Sequence, residues 1–91
     1  MNKKLHHTEK ILKALANRRR LAIIAHVQRN GTSHVGDIAE AIRLSFRSTS
    51  KHLAVLFAAG ILEREQSGLL ADYSLAMPLH PITKNALSQI L

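Results

Sequence analysis

Hydrophobic positions recur with helical spacing as far as Gly60 and with a shorter period from Ile61 to Leu75. Ile11, Leu12 and Leu15 fall on one face of a first helix that Thr8 can cap and that runs to Ala16. Asn17 is a good cap for a second helix, Arg18 to Arg29, with Leu21, Ile23, Ile24 and Val27 apolar. Asn30-Gly31 ends it, because glycine accepts the left-handed conformation past a helix end. Ser33 is placed to cap a short third helix, where Val35, Ile38, Ala39 and Ile42 form one stripe. Arg43-Leu44 reads as a turn, and Ser45 as the cap of a fourth helix that ends at Gly60. Ile61 to Glu65, a turn at Gln66-Ser67-Gly68, and Leu70 to Leu75 predict a β-hairpin. Pro78 and Pro81 follow, and Pro81 suits the first position of a last helix with Ile82, Ala86, Leu87 and Ile90 apolar.

The fourth helix carries the clearest chemistry. Thr49, Leu53, Leu56 and Phe57 make its expected inner stripe, while Arg47, Ser50, Lys51 and Ala54 lie opposite. Its front is small, polar and free of carboxylates: Ser45, Arg47, Ser48, Thr49, Ser50, Lys51. A helix that enters a DNA major groove needs such a surface. Short side chains allow close approach, donors reach base edges, and no acid repels the phosphates. The hairpin that follows is positioned to touch the flanking backbone, with Arg64, Gln66 and Ser67 as candidate contacts. The order predicts a mainly α fold with a β-hairpin wing, a winged helix-turn-helix, occupying residues 1–91 as one domain.

Composition sharpens this picture. Thirteen Lys and Arg against six Asp and Glu give a net charge of +7, which favours anionic partners. The excess sits early: residues 1–20 hold Lys3, Lys4, Lys10, Lys13, Arg18, Arg19 and Arg20 against Glu9 alone. With no cysteine, disulfides, thiolate metal sites and thiol redox chemistry are excluded. The longest apolar run, Leu53 to Leu62, is far short of the roughly 20 residues a membrane span needs. No apolar run follows the basic N-terminus as in a secretory signal, so a cytoplasmic location without membrane partners is expected.

Several segments together resemble the ArsR/SmtB family of winged-helix transcriptional repressors, from residue 11 to the end. They are Leu15-Ala16-Asn17 with Arg20-Leu21 and Ile23-Ile24, then Val35 with Asp37-Ile38-Ala39, then Leu44-Ser45. Ser50-Lys51-His52-Leu53, Leu56, Ala59-Gly60-Ile61-Leu62, Gly68 and Tyr73-Ser74-Leu75 complete the pattern. The resemblance implies a homodimer joined by the first and last helices, reading a palindrome with half-sites about 34 Å apart. The matching apolar positions are Leu5, Ile11, Leu12, Leu15, Leu79, Ile82, Leu87 and Ile90. It further implies repression by promoter occlusion, relieved by a small-molecule inducer.

The chain departs from the family at its sensors. His34 and Gly36 stand where the third-helix metal site has a Cys-x-Cys pair. Met77, Leu79 and Ile90 occupy the region of the last-helix metal site. No metal and no other cofactor is therefore expected. His6, His7 and His80 are the only candidates for a zinc site, and adjacent histidines on a helix point apart. His26 reads as a core-boundary residue, and His52 as a packing or DNA-proximal one. Arg18-Arg19-Arg20 reads as a phosphate-contacting or steering patch, or as a solubility patch, and Arg20 alternatively as half of a structural salt bridge. No phosphate loop, nucleophile elbow or His-Glu-x-x-His motif is present, and Asp37 and Glu40 have the spacing of a solvated face, so no enzyme is expected. Phe46 and the acidic strand Glu63, Arg64, Glu65, Gln66 favour a protein-interaction module as an alternative. The basic N-terminal arm favours a nonspecific architectural DNA binder.

Overall fold

A computed structural model describes residues 2–91. The elements run α1 (Lys3–Leu15), α2 (Arg18–Asn30), β1 (Ser33–His34), α3 (Val35–Ile42), α4 (Phe46–Ala58), β2 (Leu62–Ser67), β3 (Leu70–Leu75) and α5 (Pro81–Ile90). The strands form one antiparallel sheet in the order β1-β3-β2. This is the winged helix-turn-helix read from the sequence, with a third strand that periodicity did not reveal.

Four of the five helices, α1, α2, α4 and α5, start where a side chain accepts from a free backbone N–H group. The Asn17 side chain accepts from the Arg20 N–H at 3.1 Å, and Ser45 Oγ accepts from the Ser48 N–H at 3.1 Å. α1 begins earlier than the Thr8 cap predicts, because the Asn2 side chain accepts from the Lys4 N–H and opens the helix there. His80 caps α5: its Nδ1 accepts from the Ile82 N–H at 3.1 Å, and Pro81 opens the helix. Gly31 closes α2 with φ 74°. Ser33 does not cap α3 as expected. It lies in β1, its hydroxyl donates to the Gly31 carbonyl, and His34 stands at the cap position paired with Asp72 of β3.

Ile11, Ile23, Ile24, Ile38, Leu53 and Leu56 are each almost fully buried and form the centre of an aliphatic core. Ile61, Leu62 and Tyr73 extend it under the sheet, and Leu87 extends it under α5. β1 is held by the pairing Ser33 with Tyr73 and His34 with Asp72. The hairpin strands run to Ser67 and from Leu70, so the turn is Gly68-Leu69, and Gln66 and Ser67 belong to β2.

Three expectations fail on burial. Phe57, expected inside, is 47% exposed, with the Arg64 guanidinium 6.0 Å from its ring centre. Thr49, expected on both the inner stripe and the DNA face, is fully buried on the inner stripe and away from the exposed face. Of the expected dimer contacts, Ile11, Leu15 and Leu87 are 1%, 7% and 6% exposed and belong to the chain's own core. Leu79 and Ile82 are half-buried against that core, while Leu5, Leu12 and Ile90 remain exposed.

Candidate nucleic-acid interface

The turn between α3 and α4 sets the direction of α4. Arg43 takes the left-handed conformation, φ 56° and ψ 50°, beyond the last turn of α3. The Leu44 N–H then returns to the Ala39 carbonyl at 3.0 Å and satisfies a free helix-end acceptor. Ser45 follows at once as the cap of α4. The buried side of α4 is Thr49, Leu53 and Leu56, which anchors the helix along the core. This leaves Arg47, Lys51 and Ala54 exposed, with Ser48 and Ser50 half-exposed beside them. Neither Arg47 nor Lys51 has a hydrogen-bond or ion-pair partner among the described residues. The expected contacts Arg47, Ser48, Ser50 and Lys51 therefore share one accessible surface, and Thr49 is separated from them.

The middle of α4 is tied to α1 by Arg20, a role the sequence did not disclose. Arg20 Nε donates to the Ala14 carbonyl at 2.6 Å and one terminal nitrogen to the Lys13 carbonyl at 3.1 Å. The other terminal nitrogen lies 3.3 Å from His52 Nδ1. Arginine has only donors, so Nδ1 is the acceptor and the imidazole hydrogen sits on Nε2. Burial, then the Arg20 and Arg19 charges, lower the His52 pKa below 6.5 and keep the ring neutral. One guanidinium thus closes the C-terminal end of α1 and ties it to the middle of α4. Among the described residues Arg20 forms no salt bridge, and hydrogen bonds to two carbonyls and His52 take its place. The signal in the sequence was a cation at the start of α2, where the helix dipole disfavours it.

The wing is engaged with itself. Arg64 donates to Gln66 Oε1 at 3.1 Å, and Gln66 Nε2 donates to the Gly68 carbonyl at 3.2 Å. Glu63, Glu65 and Ser67 are exposed on the same strand, and Leu69 at the tip is 100% exposed. Beside the tip, Phe46 is 63% and Leu70 58% exposed. The three expected wing contacts are together, but Arg64 and Gln66 already bond each other.

Of the histidines considered for zinc, His7 and His80 meet edge to face, ring centres 5.6 Å apart. His80 uses Nδ1 in capping α5. The described residues contain no group of three or more His, Cys, Asp or Glu that could hold a metal ion. No described helix is long and apolar enough to cross a membrane.

No protein-family model and no curated protein matches the chain. Solved structures do. HlyU from Vibrio cholerae matches over 99% of this chain and 94% of its own, with TM-score 0.78 and 28% identity. A fragment of Mb0332 from Mycobacterium bovis, a homodimeric winged helix-turn-helix DNA-binding domain and possible ArsR-family transcriptional regulator, gives TM-score 0.79 at 27% identity. That match covers 94% of this chain and 76% of the other. The transcriptional repressor PagR of Bacillus anthracis shares the fold, with TM-score 0.79, 23% identity and 97% coverage of both chains. The chain is similar in structure to ArsR-type winged-helix regulators, the family its motifs resemble.

Proposed function

We propose that this chain is a DNA-binding transcriptional regulator, a repressor that binds a palindromic operator as a homodimer in the cytoplasm. The observation that carries the reading is the exposed side of α4. Arg47, Ser48, Ser50 and Lys51 share a surface without carboxylates, on a helix fixed from behind by Thr49, Leu53 and Leu56. Arg47 and Lys51 supply donors for guanine edges or phosphates, and the hydroxyls bond either. Residues 1–91 act as one non-enzymatic domain. Leu5, Leu12 and Ile90 supply exposed apolar surface on α1 and α5 for the partner subunit, and the homodimeric state of the similar Mycobacterium domain supports self-association. The reading includes no metal or other cofactor, and leaves room for a small-molecule inducer.

Selection from a random DNA pool at several salt concentrations tests this. A regulator enriches a palindrome. An architectural binder takes every sequence with a steep salt slope. Lys51→Ala should cost about 1–3 kcal/mol of affinity for the enriched site. Unchanged affinity removes Lys51 from the contacts. A second reading, a protein-interaction module, draws on exposed Phe46, Leu69 and Leu70 beside acidic Glu63 and Glu65. It predicts no tight DNA binding at physiological salt.

A further inference from the structure

α2 presents a second cationic surface, apart from the exposed side of α4. Arg18, Ala22, His26 and Arg29 follow one another at intervals that place them on one side of the helix. The opposite side, Ile23, Ile24 and Val27, is buried, so this stripe faces outward. The C-terminal end of α3 stands beside it and closes a cleft of about 430 Å³. Arg18, Arg19, Arg29 and His26 provide its cationic and polar lining, Ala22 and Ala41 part of its apolar lining, and no carboxylate lines it.

The charges in this cleft are uncompensated. The ion pairs among the described residues are Lys13 with Glu9 and His34 with Asp72, and neither involves the cleft. Arg18, Arg19 and Arg29 make no side-chain hydrogen bond among the described residues. Arg18 and Arg19 also open α2, where the helix dipole is positive and the first turn carries no acid. A solubility patch gains nothing from concentrating like charges in a concavity, where they repel one another. A bound anion reverses that cost. His26 adds a polar ring, with Asn30 Nδ2 3.2 Å from its Nδ1.

Arg18 and Arg29 are separated by roughly 16 Å along the helix axis, from the rise per residue. Two long side chains reaching inward from these ends span a compact ligand with more than one charged group. Guanidinium forks match carboxylate and phosphate geometry in bidentate fashion. We propose that the cleft between α2 and α3 binds a small-molecule anion carrying two or more carboxylate or phosphate groups. Ala41 and Ile42 lead directly into the Arg43-Leu44 turn, so the cleft adjoins the segment that sets the direction of α4. This assigns a chemical class to the effector of the proposed regulator, although the binding itself does not depend on the DNA reading.

Isothermal titration of the full, DNA-free chain with citrate, pyrophosphate and acetate, at constant ionic strength, tests the site. The variant Arg18→Gln/Arg29→Gln removes the two ends of the cleft. Lys3→Gln/Lys4→Gln removes the same charge from exposed positions on α1. Citrate or pyrophosphate should bind the natural chain, and acetate should bind far more weakly. The cleft variant should lose about tenfold or more in affinity and the α1 variant almost none. Preference for citrate assigns a carboxylate ligand, and preference for pyrophosphate a phosphate ligand. Both variants change exposed side chains, and circular dichroism checks that they fold. Equal weakening in the two variants overturns the proposal, because diffuse charge then accounts for binding. So does absence of binding to either polyanion. A cleft variant that loses duplex DNA but keeps its citrate and pyrophosphate affinities also overturns it.

Discussion

Replacing Arg20 by methionine keeps an unbranched stem and removes the guanidinium. The change leaves the Ala14 carbonyl, the Lys13 carbonyl and His52 Nδ1 without their donor. A hydrogen bond from a charged donor contributes about 1.5–3 kcal/mol. The 2.6 Å bond to Ala14, in a part-buried setting, earns a value inside that range. The Lys13 bond is exposed and the His52 bond is long at 3.3 Å, so together they add about 1 kcal/mol. Arg20→Met should therefore destabilise the fold by about 3 kcal/mol in urea unfolding at fixed protomer concentration. For a chain of this size the melting temperature falls by about 10–20 °C. The His52 pKa should also rise in an NMR titration, because one of the charges lowering it is gone. A loss below about 0.5 kcal/mol with an unmoved His52 titration would refute the assignment of Arg20 as the tie between α1 and α4.

Other substitutions test other parts of the structure. The folded His52 pKa is lowered, so its contribution is complete above 6.5 and is lost as pH falls from there toward the folded value. Stability measured against pH should decline over that window, and His52→Gln should flatten the decline. Thr49 Oγ1 is buried without a hydrogen-bond partner among the described residues. Thr49→Val should raise stability by about 1 kcal/mol and leave DNA affinity unchanged; a weaker complex would mean that the hydroxyl reaches the duplex. Leu12→Glu, at a position 50% exposed, should leave a folded chain that sediments as a monomer. Ile11→Ala, in the core, should instead cost about 2–5 kcal/mol in denaturant unfolding.

The parts of the fold governed by local chemistry were legible in the sequence. Asn17, Ser45 and Pro81 mark helix starts because capping depends on neighbouring residues alone. The stripes of α3 and the hairpin likewise follow from period. Apart from the start of α1, where Asn2 caps in place of Thr8, the errors arise where a residue's surroundings come from distant segments. A two-residue strand has no period, and β1 exists only because Ser33 finds Tyr73 across the chain. On α1, Ile11 and Leu15 are one turn apart and point into the core, whereas Leu5 and Leu12 lie on another side and remain outside. All four are apolar, so composition does not separate a core position from an interface position. Thr49 cannot serve both sides of one helix, and its angular spacing with Leu53 and Leu56 places it on the buried one. Phe57 is large and apolar, but Arg64 covers part of it from the sheet. The exposed cations of α4 were readable because the rest of that helix left them no other direction.

The short strand β1 has a mechanical consequence. Ser33 and His34 join β3 just before α3 begins, so the hairpin is stitched to the entrance of the helix-turn-helix as well as to the exit of α4. A hairpin fastened at only one place could sweep through a cone of orientations. Fastened at two, it is a rigid bracket, and any surface it meets is met without first surrendering that freedom.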